Sequence, residues 1–145
     1  MNTGTPQDDL PIQITRLESL EDIHNSTLRS RARRAHASIS NEFIAYVASE
    51  EAGFVTFDHW SRQSLGFVQE IFVLPEFRRL RIATRLLAFS ESLALHLDCR
   101  CVRLKPYSLD EDTDQIKLED WYRRVGYRRS LVDQETVEKI LSVTP

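Results

Sequence analysis

Four arginines stand within eight residues near the middle of the chain, just after an apolar segment that Pro75 ends. They are Arg78, Arg79, Arg81 and Arg85. Residues 65–73 are rich in β-branched and aromatic side chains, and residues 81–97 repeat apolar positions at helical spacing. These patterns predict a strand, then a turn, then a helix. Unpaired N–H groups at a helix start attract anions, and guanidinium groups match phosphate oxygens. The segment predicts a phosphate-binding turn, with a solvated basic helix face as the alternative.

Other chemistries lack the residue spacing that they need. The four glycines are too scattered for a Walker loop or a dinucleotide-binding GxGxxG turn. Cys99 and Cys101 have neither zinc-ribbon nor thioredoxin spacing, so we expect reduced thiols. The four histidines show no metal spacing, and a serine hydrolase would need a GxSxG elbow that the sequence lacks. We therefore expect no metal.

The composition is that of one globular domain. The chain has 145 residues, of which 41% are hydrophobic and 28% charged. With 19 basic and 22 acidic residues the net charge is -3, which does not favour nucleic acid as a partner. No apolar run reaches membrane length, so we expect a cytoplasmic protein without a membrane partner. Residues 1–10 are predicted to be a loose leader, and residues 11–145 a single domain.

Periodicity divides the domain into alternating strands and helices. Strands are predicted at 12–15, 43–48, 54–57, 65–73, 101–104, 127–131 and 136–143, the last with a helix over 137–141 as the alternative. Helices are predicted at 20–39, with a break, at 81–97 and at 116–125, where Gly126 would supply a left-handed cap. Residues 49–53 are predicted to be a hairpin loop, and residues 107–115 an acidic loop.

Two segments resemble signatures of the GCN5-related N-acetyltransferase (GNAT) family. In the first, a strand ending in Val-x-Pro leads to an R/Q-x-x-G-x-G/A turn and a long helix, and residues 78–83 (RRLRIA) occupy the six places of that turn. In the second, residues 121–127 (WYRRVGY) are similar to aromatic-Tyr-x-x-x-Gly-aromatic. The resemblance implies a single-domain α/β fold whose mixed, mostly antiparallel sheet has six or seven strands flanked by helices. The sheet would splay between strands 65–73 and 101–104.

The resemblance also implies an activity, transfer of an acetyl group from acetyl-CoA to an amine acceptor by direct attack. The pantetheine arm would pair with the backbone of Ile71, Phe72 and Val73, and an N–H group near Phe72 or Val73 would polarise the thioester carbonyl. The pyrophosphate would meet the turn and the helix start. The residues there are Arg78, Arg79, Leu80, Arg81, Ile82, Ala83 and Thr84.

Two side chains are the candidates for proton transfer. Tyr122 matches the family tyrosine that protonates the departing thiolate, with a core aromatic as the alternative. Glu70 would accept the proton of an ammonium acceptor, because burial in an apolar strand raises a carboxyl pKa toward neutrality. A paired or edge-exposed glutamate is the alternative. Strict alternation places Glu70 and Gln69 on opposite faces, and a bulge would change that.

One position departs from the family pattern. Arg81 stands where the motif has its first glycine, so its side chain would either add a phosphate ligand or block the site. This departure motivates a second hypothesis, a catalytically silent acetyltransferase-like module that binds a protein or other partner. The acidic loop favours a small cation as acceptor, and the resemblance is compatible with a homodimer. The acidic residues of this loop are Asp110, Glu111, Asp112 and Asp114.

Overall fold

One mixed sheet organises the computed structural model, which describes residues 11–37, 39–106 and 114–141. Its strands are β1 (Ile12–Arg16), β2 (Ser40–Val47), β3 (Glu50–Trp60), β4 (Leu65–Val73), β5 (Cys101–Leu104), β6 (Arg128–Arg129) and β7 (Val137–Ile140). The strand order is β1-β2-β3-β4-β5-β7-β6, and β4 with β5 is the parallel pair among antiparallel neighbours. The predicted α/β fold with a mostly antiparallel sheet is confirmed. The proposed leader and residues 107–113 of the acidic loop lie outside the described residues.

Helix α1 (Ser26–Ala35) covers one face of the sheet. Asn25 begins it, because its side chain accepts a hydrogen bond from the Leu28 N–H at 3.0 Å. Leu28 and Ala32 lie one turn apart and pack with Ile44, Phe54, Phe72 and other apolar side chains of this face. The predicted helix over 20–39 is thus broken, and its first part is a short 3-10 turn at Leu20–Asp22.

Helix α2 (Ile82–His96) covers the opposite face and confirms the helical stripe read from the sequence. Its buried residues Ile82, Leu86 and Ala94 join a core with Val55 and Phe57 of β3. Successive residues of a strand point to opposite faces, so β3 supplies Phe54 to the α1 side and Val55 to the α2 side. A 3-10 segment, Pro75–Leu80, connects β4 to α2.

The predicted hairpin is confirmed by the antiparallel pairing of β2 with β3, but the predicted loop over 49–53 is too long. Ala48 and Ser49, with φ of 48° and 74°, make a two-residue turn, and β3 already begins at Glu50. Two successive residues with positive φ give a turn whose twist matches the right-handed twist of the two strands of a hairpin. Glu51 belongs to the ladder, and its carboxylate accepts hydrogen bonds from the N–H groups of His24 and Asn25. The Glu51 carboxylate thus contacts the segment before α1, and the composition of residues 49–53 does not reveal this contact.

The last quarter of the chain forms a helix and two short strands. Helix α3 (Gln115–Arg124) ends before Gly126, whose φ of 107° confirms a positive-φ cap. β6 is shorter than predicted, because the Ser130 hydroxyl turns the chain by accepting hydrogen bonds from the N–H groups of Val132 and Asp133. β7 pairs with both β5 and β6, so the strand alternative is correct over Val137–Ile140, while residues 142 and 143 lie outside the described residues.

The sheet splays between β4 and β5, as predicted. Their parallel pairing runs from Leu65 opposite Cys101 to Val68 opposite Leu104. β5 ends there, whereas β4 continues to Val73. Among the described residues, the second half of β4 therefore faces a gap instead of a neighbouring strand.

Candidate active site

A small cavity lies where β4 and β5 part. Its volume is about 30 Å³, which is enough to hold an ordered water molecule. It is lined by Val68, Gln69, Glu70, Ile71, Leu104, Lys105 and Tyr122. Both candidate proton-transfer residues, one from β4 and one from α3, thus line the same cavity.

A β-bulge at Gln69 decides which way the β4 side chains point. Thr56 of β3 lies opposite Glu70 but Phe57 lies opposite Val68, so Gln69 is the extra residue. The Gln69 amide donates a 2.8 Å hydrogen bond to Asp58, a buried carboxylate on the α1 side of β3. Gln69 therefore shares the α1 face with Glu70, and the strict alternation considered in the sequence does not apply.

Glu70 is buried beside a cation from α1. Its side chain is 4% exposed, and its Oε2 lies 3.7 Å from Nη1 of Arg31. Burial raises the pKa of the Glu70 carboxyl, while the charges of Arg31 and Arg34 act in the opposite direction. Among the described residues, neither Glu70 Oε2 nor Oγ1 of Thr56 opposite has a hydrogen-bond partner. Glu70 thus combines a raised pKa with an acceptor atom that can take a proton.

The backbone of β4 offers hydrogen-bonding groups to the gap. The Leu74 N–H donates to the Ala52 carbonyl at 2.8 Å, so it points toward β3. Hydrogen-bonded and non-hydrogen-bonded residue pairs alternate along an antiparallel ladder, so Phe72 is hydrogen-bonded to Phe54. The backbone N–H and C=O groups of Phe72 therefore also point toward β3. The N–H and C=O groups of Ile71 and Val73 point the other way, into the gap. Of the two N–H groups considered for carbonyl polarisation, that of Val73 faces the gap.

The turn after β4 carries the predicted phosphate-binding residues. Arg78 donates from Nε to the Val73 carbonyl at 3.0 Å, and its guanidinium lies 5.6 Å from the centre of the Phe72 ring. Leu80 is buried in the core, so its backbone is the part available to a ligand. The Arg78 side chain therefore holds the end of β4 as well as standing near the turn.

Arg81 joins the turn to α2 in a left-handed conformation, with φ 61° and ψ 27°. The position thus keeps the backbone conformation that glycine adopts without strain. Arg81 is exposed and makes no capping hydrogen bond with its side chain. The following N–H groups, those of Ile82, Ala83 and Thr84, lie in the first turn of α2, where an α-helix leaves them without intrahelical partners.

Tyr122 lies between the core and the cavity. It is 8% exposed, and its ring contacts those of Trp121 and Tyr127, with centroids 4.8 Å and 5.7 Å away. The Tyr127 hydroxyl donates to Glu91 of α2 at 2.9 Å, and burial raises the pKa of Tyr127 far above its ordinary value. Tyr127 is therefore held as a structural phenol, and Tyr122 is the one that lines the cavity.

Sequence reasoning did not identify Arg31, Gln69 and Asp58 as site residues. Arg31 stands in a run of arginines that looks like a solvated helix face, and its guanidinium instead lies 4.1 Å from the Phe72 ring centre. No local signal distinguishes it from Arg33, which pairs with Glu21 at the surface. The contact depends on how α1 crosses β4.

No group of three or more His, Cys, Asp and Glu side chains is placed to hold a metal ion in residues 11–37, 39–106 and 114–141. Over the same ranges, no helix is long and apolar enough to cross a membrane.

Comparison with known proteins identifies the family. A family model described as an acetyltransferase (GNAT) domain matches residues 39–129, and no curated protein sequence matches the chain. Among solved structures, nourseothricin acetyltransferase is similar with 20% identity over 71% of this chain and 66% of that chain, at a TM-score of 0.56. The ribosomal-protein-S18-alanine N-acetyltransferase of Escherichia coli is 13% identical over 93% and 97%, at a TM-score of 0.67. The PaiA N-acetyltransferase of Thermoplasma acidophilum, in complex with coenzyme A, is 16% identical over 91% and 100%, at a TM-score of 0.64. At these low identities, the structural similarity shows a shared fold and no more. Because the family model spans more than half of the sequence, the chain belongs to the GNAT acetyltransferase family.

Proposed function

We propose that this protein is an N-acetyltransferase that moves an acetyl group from acetyl-CoA directly to an amine, without a covalent enzyme intermediate. The observation that carries the proposal is the cavity at the splay of β4 and β5, which Glu70 and Tyr122 both line. One is a carboxylate with a raised pKa and the other a phenol, so the cavity has a candidate base and a candidate acid.

Acetyl-CoA would supply the activated thioester. The backbone groups of Ile71 and the Val73 N–H, which face the gap, fit an amide-bearing pantetheine arm, and the Phe72 ring would lie beside it. The Val73 N–H is the candidate to polarise the thioester carbonyl. The pyrophosphate would bind at the start of α2, where backbone N–H groups and the helix dipole favour anions. The residues proposed to hold it are Arg78, Arg79, Leu80, Arg81, Ile82, Ala83 and Thr84.

The two side chains divide the proton transfers between them. Glu70 takes a proton from the acceptor ammonium, which leaves the nitrogen lone pair to form the C–N bond while the C–S bond breaks. Tyr122 gives its proton to the departing thiolate, and it regains one as the new amide nitrogen loses its second proton. The sum is one acetamide, one thiol and one proton released to solvent.

Two measurements test the proposal. Calorimetric titration with acetyl-CoA should show binding in the micromolar range, and a panel of primary amines should then release free coenzyme A thiol. Absence of binding at high micromolar acetyl-CoA would refute the assignment of an acetyltransferase. The expectation of a small cationic acceptor rests on residues of which most lie outside the described ranges, so the panel includes neutral, cationic and zwitterionic amines.

The second candidate is a silent acetyltransferase-like module that binds a protein or other partner. It is favoured by Arg81, whose exposed side chain stands on the turn where the family motif has glycine. Acetyl-CoA binding without thiol release from any amine of the panel would support this second candidate. The proposed homodimer is tested separately, by light scattering of the purified protein.

A further inference from the structure

We propose that the acceptor carries an anionic group next to its amine, as an α-amino acid does, and that Arg31 and Glu70 receive the two opposite charges. The inference rests on the proposed function and names the substrate class of the same site. Its starting point is that Arg31 and Glu70 join two cavities.

The first of these cavities is the one at the splay, which Glu70 lines. The second is a pocket of about 320 Å³ on the flank of α1, lined by Ser26, Thr27, Ser30, Arg31 and Arg34. Arg31 Nη1 and Glu70 Oε2 lie 3.7 Å apart, so a residue that lines the pocket stands beside a residue that lines the cavity. A ligand in the pocket would thus reach the splay past one guanidinium and one carboxylate.

The pair leaves Oε2 of Glu70 without a hydrogen bond. Its N–O distance of 3.7 Å exceeds the 2.7–2.9 Å usual for a charge-assisted hydrogen bond, and Glu70 Oε2 has no hydrogen-bond partner within the described chain. A buried charged oxygen in this state needs a donor. An ammonium group, with its N–H donors, satisfies that need and also brings the reacting nitrogen to the proposed base.

Arg31 is placed to hold the negative group. Its guanidinium lies 4.1 Å from the centre of the Phe72 ring, a cation–π contact that holds it in place, and Arg31 also lines the pocket. A guanidinium has five N–H donors, enough to serve Glu70 and a ligand carboxylate together. In an α-amino acid, one carbon atom separates the ammonium group from the carboxylate. The two groups could therefore contact Glu70 and Arg31 at the same time.

The charged side chains that line the pocket also favour a ligand with an anionic group. Two of its five lining side chains are arginines, the other three carry hydroxyl groups, and none is acidic. Arg34 also acts on Glu70 through its charge, so the positive field extends to the proposed base. A purely cationic amine would meet like charge in this pocket, whereas a zwitterion meets opposite charge at both of its ends.

The substrate test compares matched amines in the thiol-release assay. The twenty standard L-amino acids are each assayed against the corresponding primary amide, which keeps the amine and side chain but removes the negative charge. We expect kcat/KM for the preferred acid to exceed that for its amide by about 10–100-fold. Turnover of amides equal to or better than that of the acids would overturn this inference alone. Failure of every amine, acid and amide alike, would overturn the proposed function and the inference with it.

Variants of α1 supply the second test. Arg31→Gln should reduce the acid-to-amide ratio to near 1 while acetyl-CoA affinity, measured by calorimetry, stays unchanged. Arg34→Gln, at an exposed position, keeps the Arg31 and Glu70 pair and should reduce the ratio several-fold, so the inference stays testable if Arg31→Gln unfolds. The control is Arg33→Gln on the same helix, where the arginine pairs with Glu21 outside the pocket. An acid preference that persists in Arg34→Gln, and in a folded Arg31→Gln, would refute the assignment.

Discussion

Replacement of Arg81 by glycine should stabilise this protein. Arg81 has φ 61° and ψ 27°, where a side chain costs about 1–2 kcal/mol relative to the right-handed region. Glycine removes that strain but gives the unfolded chain about 0.5–1 kcal/mol of additional conformational entropy. The net expectation for Arg81→Gly is a gain of about 0.5–1 kcal/mol in the free energy of unfolding, which for a chain of this size raises Tm by about 1–4 °C.

Arg85→Gly is the matched control. Both residues are exposed arginines, and they lie one helical turn apart, with the Arg85 N–H donating to the Arg81 carbonyl at 3.0 Å. Arg85 is inside α2, so glycine there should lower stability by about 1 kcal/mol. Urea unfolding of the two variants should therefore give midpoint shifts of opposite sign. Loss of stability in both would refute the argument that Arg81 is strained.

The same variant separates the two roles considered for the Arg81 side chain. Calorimetric titration of Arg81→Gly with acetyl-CoA keeps the backbone conformation and removes the guanidinium. Tighter binding than in the wild type would identify the side chain as an obstruction, and weaker binding would identify it as a phosphate ligand.

Five further substitutions test the site and its support. Tyr122→Phe keeps the ring but removes the donated proton, so kcat should fall by about 10²–10⁴-fold with little change in acetyl-CoA affinity; near-wild-type turnover would remove Tyr122 from the mechanism. Because burial raises the pKa of Glu70 above 4.5, and only its ionised form accepts a proton, kcat/KM should fall on the acidic side below a midpoint higher than 4.5. Glu70→Gln should abolish that acidic limb, and a limb that survives in this variant would assign the base to another group. Arg78→Ala and Arg79→Ala should each weaken acetyl-CoA binding by about 1.5–3 kcal/mol in calorimetry, with unchanged affinity in both and in the double variant as the contrary result. Tyr127→Phe should lose about 1 kcal/mol of unfolding free energy in urea, since it removes the buried hydrogen bond to Glu91, and equal stability would contradict that role.

The elements with strong local signals were predictable from the sequence. β4 and β5 have the predicted bounds, because apolar β-forming runs mark both and Pro75 stops the first. α2 follows from its periodic stripe, and the positive φ of Gly126 follows from its place after α3. In each case the physical cause lies within a few residues of the element itself.

The features that distinguish the site depend on distant pairings. The bulge at Gln69 exists because β3 pairs with β4 in a shifted register, and its amide is held by Asp58. The approach of Arg31 to Glu70 depends on the packing of α1 across the sheet. Each of these requires two segments to be placed in space, so periodicity and composition could not reveal them.

The part of β4 beyond its pairing with β5, residues 69–73, lies inside the sheet and not at an outer edge. This position affects how readily the protein could associate with other chains. Exposed strand edges recruit other polypeptides, and proteins usually keep such edges short, charged or covered. Here the edge that we propose to pair with the pantetheine arm faces the gap beyond the end of β5, and Lys105 and Tyr122 line the cavity there. The outer edge at β6 has only two residues, both arginines. An interior position would let this edge pair with a narrow ligand while making it harder for a second protein strand to reach than an outer edge.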